Sequence, residues 1–207
     1  MARPRGFDEG KVLEAAGGVF WRGGYEATST RELSAATGLT ASSLYAAFGD
    51  KQTLFRRALD SYLDRILHER MQRLSESVSP ARAITAFFHE IIERSVSDQE
   101  QRGCMLVNSA VEASPRDAHF RAALAAELAL IENFFRDRFI AAQRSGEIPV
   151  THSADDAASQ LLALLLGIRV LARVRPEREL LTAALRQTLK LLDLPPLPKP
   201  GSARFAD

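Results

Sequence analysis

The 207-residue chain has one cysteine, Cys104, so no intrachain disulfide framework can form, which fits a reducing compartment. Its longest apolar stretch, Leu161 to Ile168, is too short to cross a bilayer and ends at Arg169. The start Met1-Ala2-Arg3-Pro4-Arg5 is basic but leads into no apolar h-region or small-residue cleavage site, so a cytoplasmic protein without membrane association is expected. Neither sign of charge dominates: 27 Lys and Arg against 26 Asp and Glu give a net charge of +1, which alone does not advertise nucleic acid. There is no glycine-rich phosphate loop, nucleophile elbow or His-Glu-x-x-His. Four histidines, at 68, 89, 119 and 152, lack the short spacing of a metal site. Paired acids such as Asp155-Asp156, or Glu90 and Glu93, read as solvated helix charges. The expectation is no enzyme, cofactor or metal.

What is present is helical. Hydrophobic content of 46% and charged content of 26% are those of an ordinary globular protein. Apolar residues recur with a 3.6-residue period nearly throughout, and nothing alternates as a half-buried strand would. The pattern predicts an all-α chain of about nine helices. The first runs from the cap candidate Asp8 to Arg22, with Val12, Leu13, Ala16, Val19 and Phe20 on one face, and stops at Gly23-Gly24. A second opens at Thr30 with Leu33 and Ala36 inward and ends at Gly38, and a third covers Ala41 to Phe48. A long fourth helix follows, to about Leu74. Ser79-Pro80 starts the fifth, Cys104 to Val111 is short, Pro115 opens a run to Arg144, Asp155 to Val174 is apolar on most sides, and Pro176 opens the last, through Leu192. The Pro-rich tail from Leu194 to Pro200 cannot continue a helix and is expected to be frayed or extended. Domain bounds of 1–57, 58–194 and a tail of 195–207 follow.

Residues 30 to 48 have the logic of a helix-turn-helix. Leu33, Leu39, Leu44 and Phe48 supply apolar contacts between two short helices, Ser34 and Ala35 are small where they cross, and Gly38 permits the turn. The series Phe20, Tyr25, Thr28-Ser29-Thr30, Leu33, Gly38-Leu39, Leu44-Tyr45, Phe48, Lys51 and Leu54 resembles the N-terminal domain of TetR-family transcriptional regulators over about residues 8 to 57. The resemblance implies a small DNA-binding domain and a larger helical domain for ligand and dimerisation. It puts Thr30 on a phosphate, Thr40, Ala41, Ser42, Ser43 and Ala46 toward bases, and Tyr45 and Lys51 on the DNA backbone, with Arg31 a further specificity candidate. Hydroxyls and helix N-termini hydrogen-bond phosphates, and alanine can touch a thymine methyl. Residues 1–57 carry eight basic against six acidic side chains, a weak excess of the right sign. Arg3 and Arg5 form a short arm, either inserted in a minor groove or solvated.

The remaining residues offer an apolar interior without a ligand signature. Phe87, Phe88, Ile91, Met105, Phe120, Phe134, Phe135 and Phe139 read singly as core and together as a pocket for an unidentified small-molecule inducer. By resemblance, that inducer would reorient the fourth helix. Cys104, beside Arg102 at the start of a short helix, reads as a buried inert cysteine or, as the resemblance allows, a redox or electrophile sensor. Leu161, Leu164, Leu165, Ile168, Leu181, Leu185 and Leu189 suggest half of an intermolecular four-helix bundle, or a purely internal core. The expected protein is a homodimeric repressor on a palindromic double-stranded DNA operator, bacterial and associated with the nucleoid. A helical interaction module and a helical enzyme stand as alternatives.

Overall fold

The computed structural model describes residues 7–112 and 117–198, and the described residues form helices and connecting loops. The helices are α1 (Glu9–Gly23), α2 (Thr30–Thr37), α3 (Ala41–Phe48), α4 (Lys51–Leu63), α5 (Glu69–Ser77), α6 (Pro80–Ser97), α7 (Met105–Glu112), α8 (Ala118–Arg144), α9 (Ala154–Val174) and α10 (Arg178–Leu191). A π-helical turn, Asp64–His68, joins α4 to α5 without a break, so 51–77 is one stretch and the helical stretches number nine among the described residues. Such single π-turns occur as bulges inside otherwise regular α-helices, and the sequence reading did not anticipate this one. Two compact units result: the described parts of Met1–Glu69 with Cys104–Ser114, and of Arg70–Gly103 with Pro115–Asp207. The first therefore continues past residue 57 and takes in α7.

Caps and breakers set the first unit. Asp8 caps α1 by accepting from the Lys11 amide at 3.2 Å. The inward residues are those expected, with Ala16 and Phe20 almost wholly buried. Phe20 meets the Phe55 ring edge-on at 4.9 Å, and Trp21 meets Tyr62 likewise at 4.9 Å, which fastens α1 to α4. Ion pairs Arg57–Glu9 and Arg65–Glu14 flank the same seam. Because they are exposed, each adds little.

In the second unit α9 packs against α6, α8 and α10. Ala154, Ala157 and Ala158 before it and Val170, Leu171, Ala172 and Val174 after it extend its apolar character well beyond Leu161–Ile168. Its mean hydropathy reaches 1.6, enough by length and composition to cross a membrane, contrary to the short-run expectation. The core helix of a bundle passes the same measure, and α9 buries Ala157, Ala158, Leu161, Leu165, Ile168, Arg169 and Ala172. The last helix begins at Arg178, not in the turn after Pro176. The tail is anchored where it leaves α10: Leu192 and Leu194 are buried and the Leu194 amide donates to the Leu189 carbonyl at 2.9 Å. Pro115 and residues 199–207 lie outside the described residues.

Candidate nucleic-acid interface

The two short helices are built by their caps. α2 opens at Thr30 as expected and is capped by Ser29: its hydroxyl accepts from the Glu32 amide at 3.3 Å, while the Glu32 carboxylate accepts from the Ser29 amide at 2.8 Å. This reciprocal capping box was legible as Ser29-x-x-Glu32. Hydrogen bonds from Ser29 hold the Glu32 carboxyl below its usual value. Gly38 ends α2 in the left-handed region, φ 70°, where a side chain would be strained although the space beside it is open. Thr40 then caps α3, accepting from the Ser43 amide at 3.2 Å, and its hydroxyl also lies within hydrogen-bond distance of the Ser42 and Ser43 hydroxyls.

These caps fix which side of each helix is free. Leu33, Leu44 and Phe48 are buried. Ala36, expected inward, and Ala35, expected at the crossing, are exposed, because the inward contact of α2 is made by Leu33, the one residue that this helix buries. Ser34 does point inward, with a buried hydroxyl that finds no partner. Thr40, Ala41, Ser42, Ser43 and Ala46 are all exposed and belong to the first turns of α3, and Arg31 is exposed on α2. Thr30 and Tyr45 are brought together, their hydroxyls 2.8 Å apart. Lys51 donates to the Glu26 carbonyl at 3.3 Å and lies 4.7 Å from the centre of the Tyr25 ring. Arg3 and Arg5 lie outside the described residues.

Two supporting residues have roles that the sequence pattern did not reveal. Tyr25 packs on Phe20 and Phe55 beneath Lys51. Burial first, then the nearby charges of Glu26 and Asp50, raises its phenol above the ordinary value. Glu112, at the end of α7, accepts from the Tyr25 amide at 2.8 Å. A Cβ added at Gly24, φ 79°, would stand 2.5 Å from a Glu112 carboxylate oxygen. A bond spanning 87 residues of sequence leaves no local signal.

A family model of bacterial regulatory proteins of the tetR family matches residues 12–58, and one of the tetracyclin repressor-like C-terminal domain matches residues 80–188. The chain belongs to the TetR family. The transcriptional repressor ComR of Escherichia coli is 34% identical over 191 residues, covering 91% of this chain and 90% of that protein. An uncharacterised transcriptional regulator of Bacillus subtilis, YezE, is 29% identical over 197 residues, 93% of this chain and all of that one. Among solved structures, a cysteine mutant of the TetR family transcriptional regulator CifR, complexed with 26-base-pair operator DNA, has a TM-score of 0.81 at 33% identity and covers 94% of this chain and 100% of that chain. This TetR-family chain is thus a DNA-binding transcriptional regulator, with an N-terminal helix-turn-helix and a C-terminal helical domain, and not an enzyme.

Elsewhere in this TetR-family regulator, Phe87, Phe88, Phe134 and Phe135 come together with ring centres 5.3 to 6.2 Å apart and pack on one another as core. Phe139 and Ile91 are buried too, and Phe120 is half-buried near the start of α8. Met105 is buried within the first unit, a different unit from the phenylalanines. Cys104 is a half-buried free cysteine immediately before α7, its carbonyl accepting from the Asn108 amide at 2.9 Å. Of the leucines expected between copies, Leu161, Leu165, Leu181, Leu185 and Leu189, with Ile168, are 0 to 4% exposed in the single chain. They face its own core; only Leu164 keeps partial exposure. Alternate residues on an apolar-all-round helix look alike in sequence, so the inner stripe could not be told from the outer one.

Proposed function

We propose that the chain is a homodimeric repressor that places α3 of each copy in the major groove of a palindromic operator and leaves it when the C-terminal unit receives a small ligand or when Cys104 is modified. The observation that carries this reading is the two-sidedness of α3. Leu44 and Phe48 fasten it from behind while Thr40, Ala41, Ser42, Ser43 and Ala46 stand exposed in front. A recognition helix meets base edges with its N-terminal residues. Thr30, Tyr45 and Lys51 flank that surface, where backbone phosphates pass. ComR is named a repressor and CifR was solved in complex with operator DNA, which supports the same reading. Such a protein works in the cytoplasm, on the nucleoid.

The partner copy has a surface to meet. On α9, Ser159, Ala163, Gly167, Val170 and Val174 are exposed at intervals of three or four residues, and on α10 so are Ala183, Gln187 and Leu191. Val170, Val174 and Leu191 are 52%, 70% and 61% exposed, unusual for large apolar side chains on packed helices. Gly167 sits mid-helix with open space where its Cβ would be. Glycine there costs about 1 kcal/mol relative to alanine, a cost that close approach of a second helix explains.

The test is fluorescence anisotropy of labelled DNA flanking the protein's own gene, titrated at several salt concentrations. Saturable, salt-dependent binding by a dimer, weakened by Thr40→Ala and by Ser43→Ala, is the expected result. Equal affinity for unrelated DNA in wild type and variants contradicts it. Deleting residues 2 to 5 in the same assay decides whether Arg3 and Arg5 reach the duplex, since each phosphate no longer neutralised lowers the salt slope by about 1.

A further inference from the structure

The second unit holds a charge that the protein itself does not balance. Arg169 lies in the middle of α9 and is 5% exposed. A guanidinium stays protonated in any protein setting, so this is a buried permanent cation. Its Nη1 donates to the Ser95 hydroxyl at 2.9 Å and its Nη2 to the Gly103 carbonyl, both neutral acceptors. Its Nε is buried and finds no acceptor. Among the described residues no carboxylate stands within ion-pair distance of it.

The carboxylates nearest in the network are already engaged. Glu90 accepts from Arg70 at 2.9 Å and from Arg73 at 2.8 Å, and Glu93 accepts from Arg178 at 2.8 Å. With Arg169, four arginines share two glutamates across α5, α6, α9 and α10. His89 can supply no negative charge, and burial and then Arg178 keep its pKa below the ordinary value, against the opposing pull of Glu90, so it is held toward the neutral form. The excess is felt at Arg70, whose guanidinium is pushed down by burial and further by Arg94 and Arg169, while Glu90 opposes. Buried charges are ordinarily paired, and an arginine fork matches a carboxylate in both shape and charge.

We propose that Arg169 anchors the anionic group of a small organic ligand, a carboxylate, and that this ligand is the effector of the C-terminal unit. The inference rests on the reading of that unit as the ligand-receiving half. The apolar remainder of the ligand has Phe87, Phe88, Phe134 and Phe135 in the same unit to pack against once they part. Drawing the guanidinium onto the anion also loosens its hold on the Gly103 carbonyl, at the end of the 98–103 loop.

The experiment is thermal melting of the full-length protein at constant ionic strength with benzoate and octanoate, against benzamide and octanol as neutral counterparts, in wild type, Arg169→Met and Arg169→Lys. The expected result is a rise of several degrees in wild type with the carboxylates only, absent in Arg169→Met and reduced in Arg169→Lys. A rise of the same size in wild type and Arg169→Met, or no carboxylate-selective rise in wild type, overturns the proposal and leaves Arg169 a strut for the 98–103 loop. Should Arg169→Met not fold, the wild-type selectivity and Arg169→Lys decide alone. Operator binding measured on the same samples separates the two readings: its absence contradicts the regulator, while the melting result still decides the anion site.

Discussion

The hydroxyls of Thr30 and Tyr45 lie 2.8 Å apart, the first residue of α2 joined to the middle of α3. Both residues were expected on DNA phosphates; their mutual bond means that each positions the other before any DNA arrives. Tyr45→Phe keeps the ring and removes the link. It is expected to lower stability by about 1 kcal/mol, the net worth of a part-buried hydrogen bond, and to weaken operator binding more than that loss alone explains. A double-mutant cycle with Thr30→Val checks the coupling, which should reach about 0.5 kcal/mol or more. Strict additivity would show the pair to be independent.

Gly24 and Gly38 share a positive φ but not a neighbourhood. Gly38→Ala meets open space, so only the backbone conformation opposes it, at about 1 kcal/mol. Gly24→Ala adds a collision with Glu112 and endangers the Tyr25 amide bond. Urea denaturation should therefore rank Gly24→Ala as the more damaging, and Glu112→Ala, which removes the colliding carboxylate, should narrow the gap. An equal cost for the two would show that Glu112 has no part in the difference.

The two faces of α9 should separate stability from assembly. Leu165→Ala, in the single chain's core, is expected to cost about 2 to 5 kcal/mol of folding stability. Gly167→Arg, on the outer face, should leave the fold intact, shift the protein from dimer to monomer in analytical ultracentrifugation and abolish tight operator binding. A Gly167→Arg variant that remains dimeric places the interface elsewhere.

His89 gives the stability a pH dependence. Burial, then Arg178, depresses its folded pKa below the ordinary 6.5, with Glu90 opposing. For a depressed histidine the unfolded chain takes up the proton first. The contribution is therefore present above about pH 6.5 and lost as pH falls from there toward the folded value. Denaturation midpoints should fall between pH 7.5 and pH 5.5 in wild type and change less in His89→Gln. Identical pH profiles would exclude His89 as their source.

Local signals made the reading half of the molecule legible. Asp8, Gly38 and the Gly49-Asp50 break sit where the chain bends, and the Leu33, Leu44 and Phe48 spacing alone identifies the buried side of α2 and α3. What failed to show were relations between distant residues: Glu112 under Tyr25, Arg169 against Ser95, and which stripe of α9 faces inward. A helix apolar on nearly every side gives no periodic contrast, so the buried Leu161 and Leu165 could not be told from the exposed Ala163 and Gly167. The aromatic residues were legible as apolar, but whether they surround a space or fill it depends on packing that no pattern encodes.

If the exposed start of α3, framed by Tyr45 and Lys51, reads operator DNA, then its flanking groups must touch phosphate. Anisotropy of the operator fragment across a salt series, comparing wild type with Lys51→Ala and Tyr45→Phe, tests this most directly. The predicted result is weaker binding in both variants, with the Lys51→Ala salt slope smaller by about 1 for each phosphate that the lysine neutralises. Wild-type affinity and slope in both variants would contradict it.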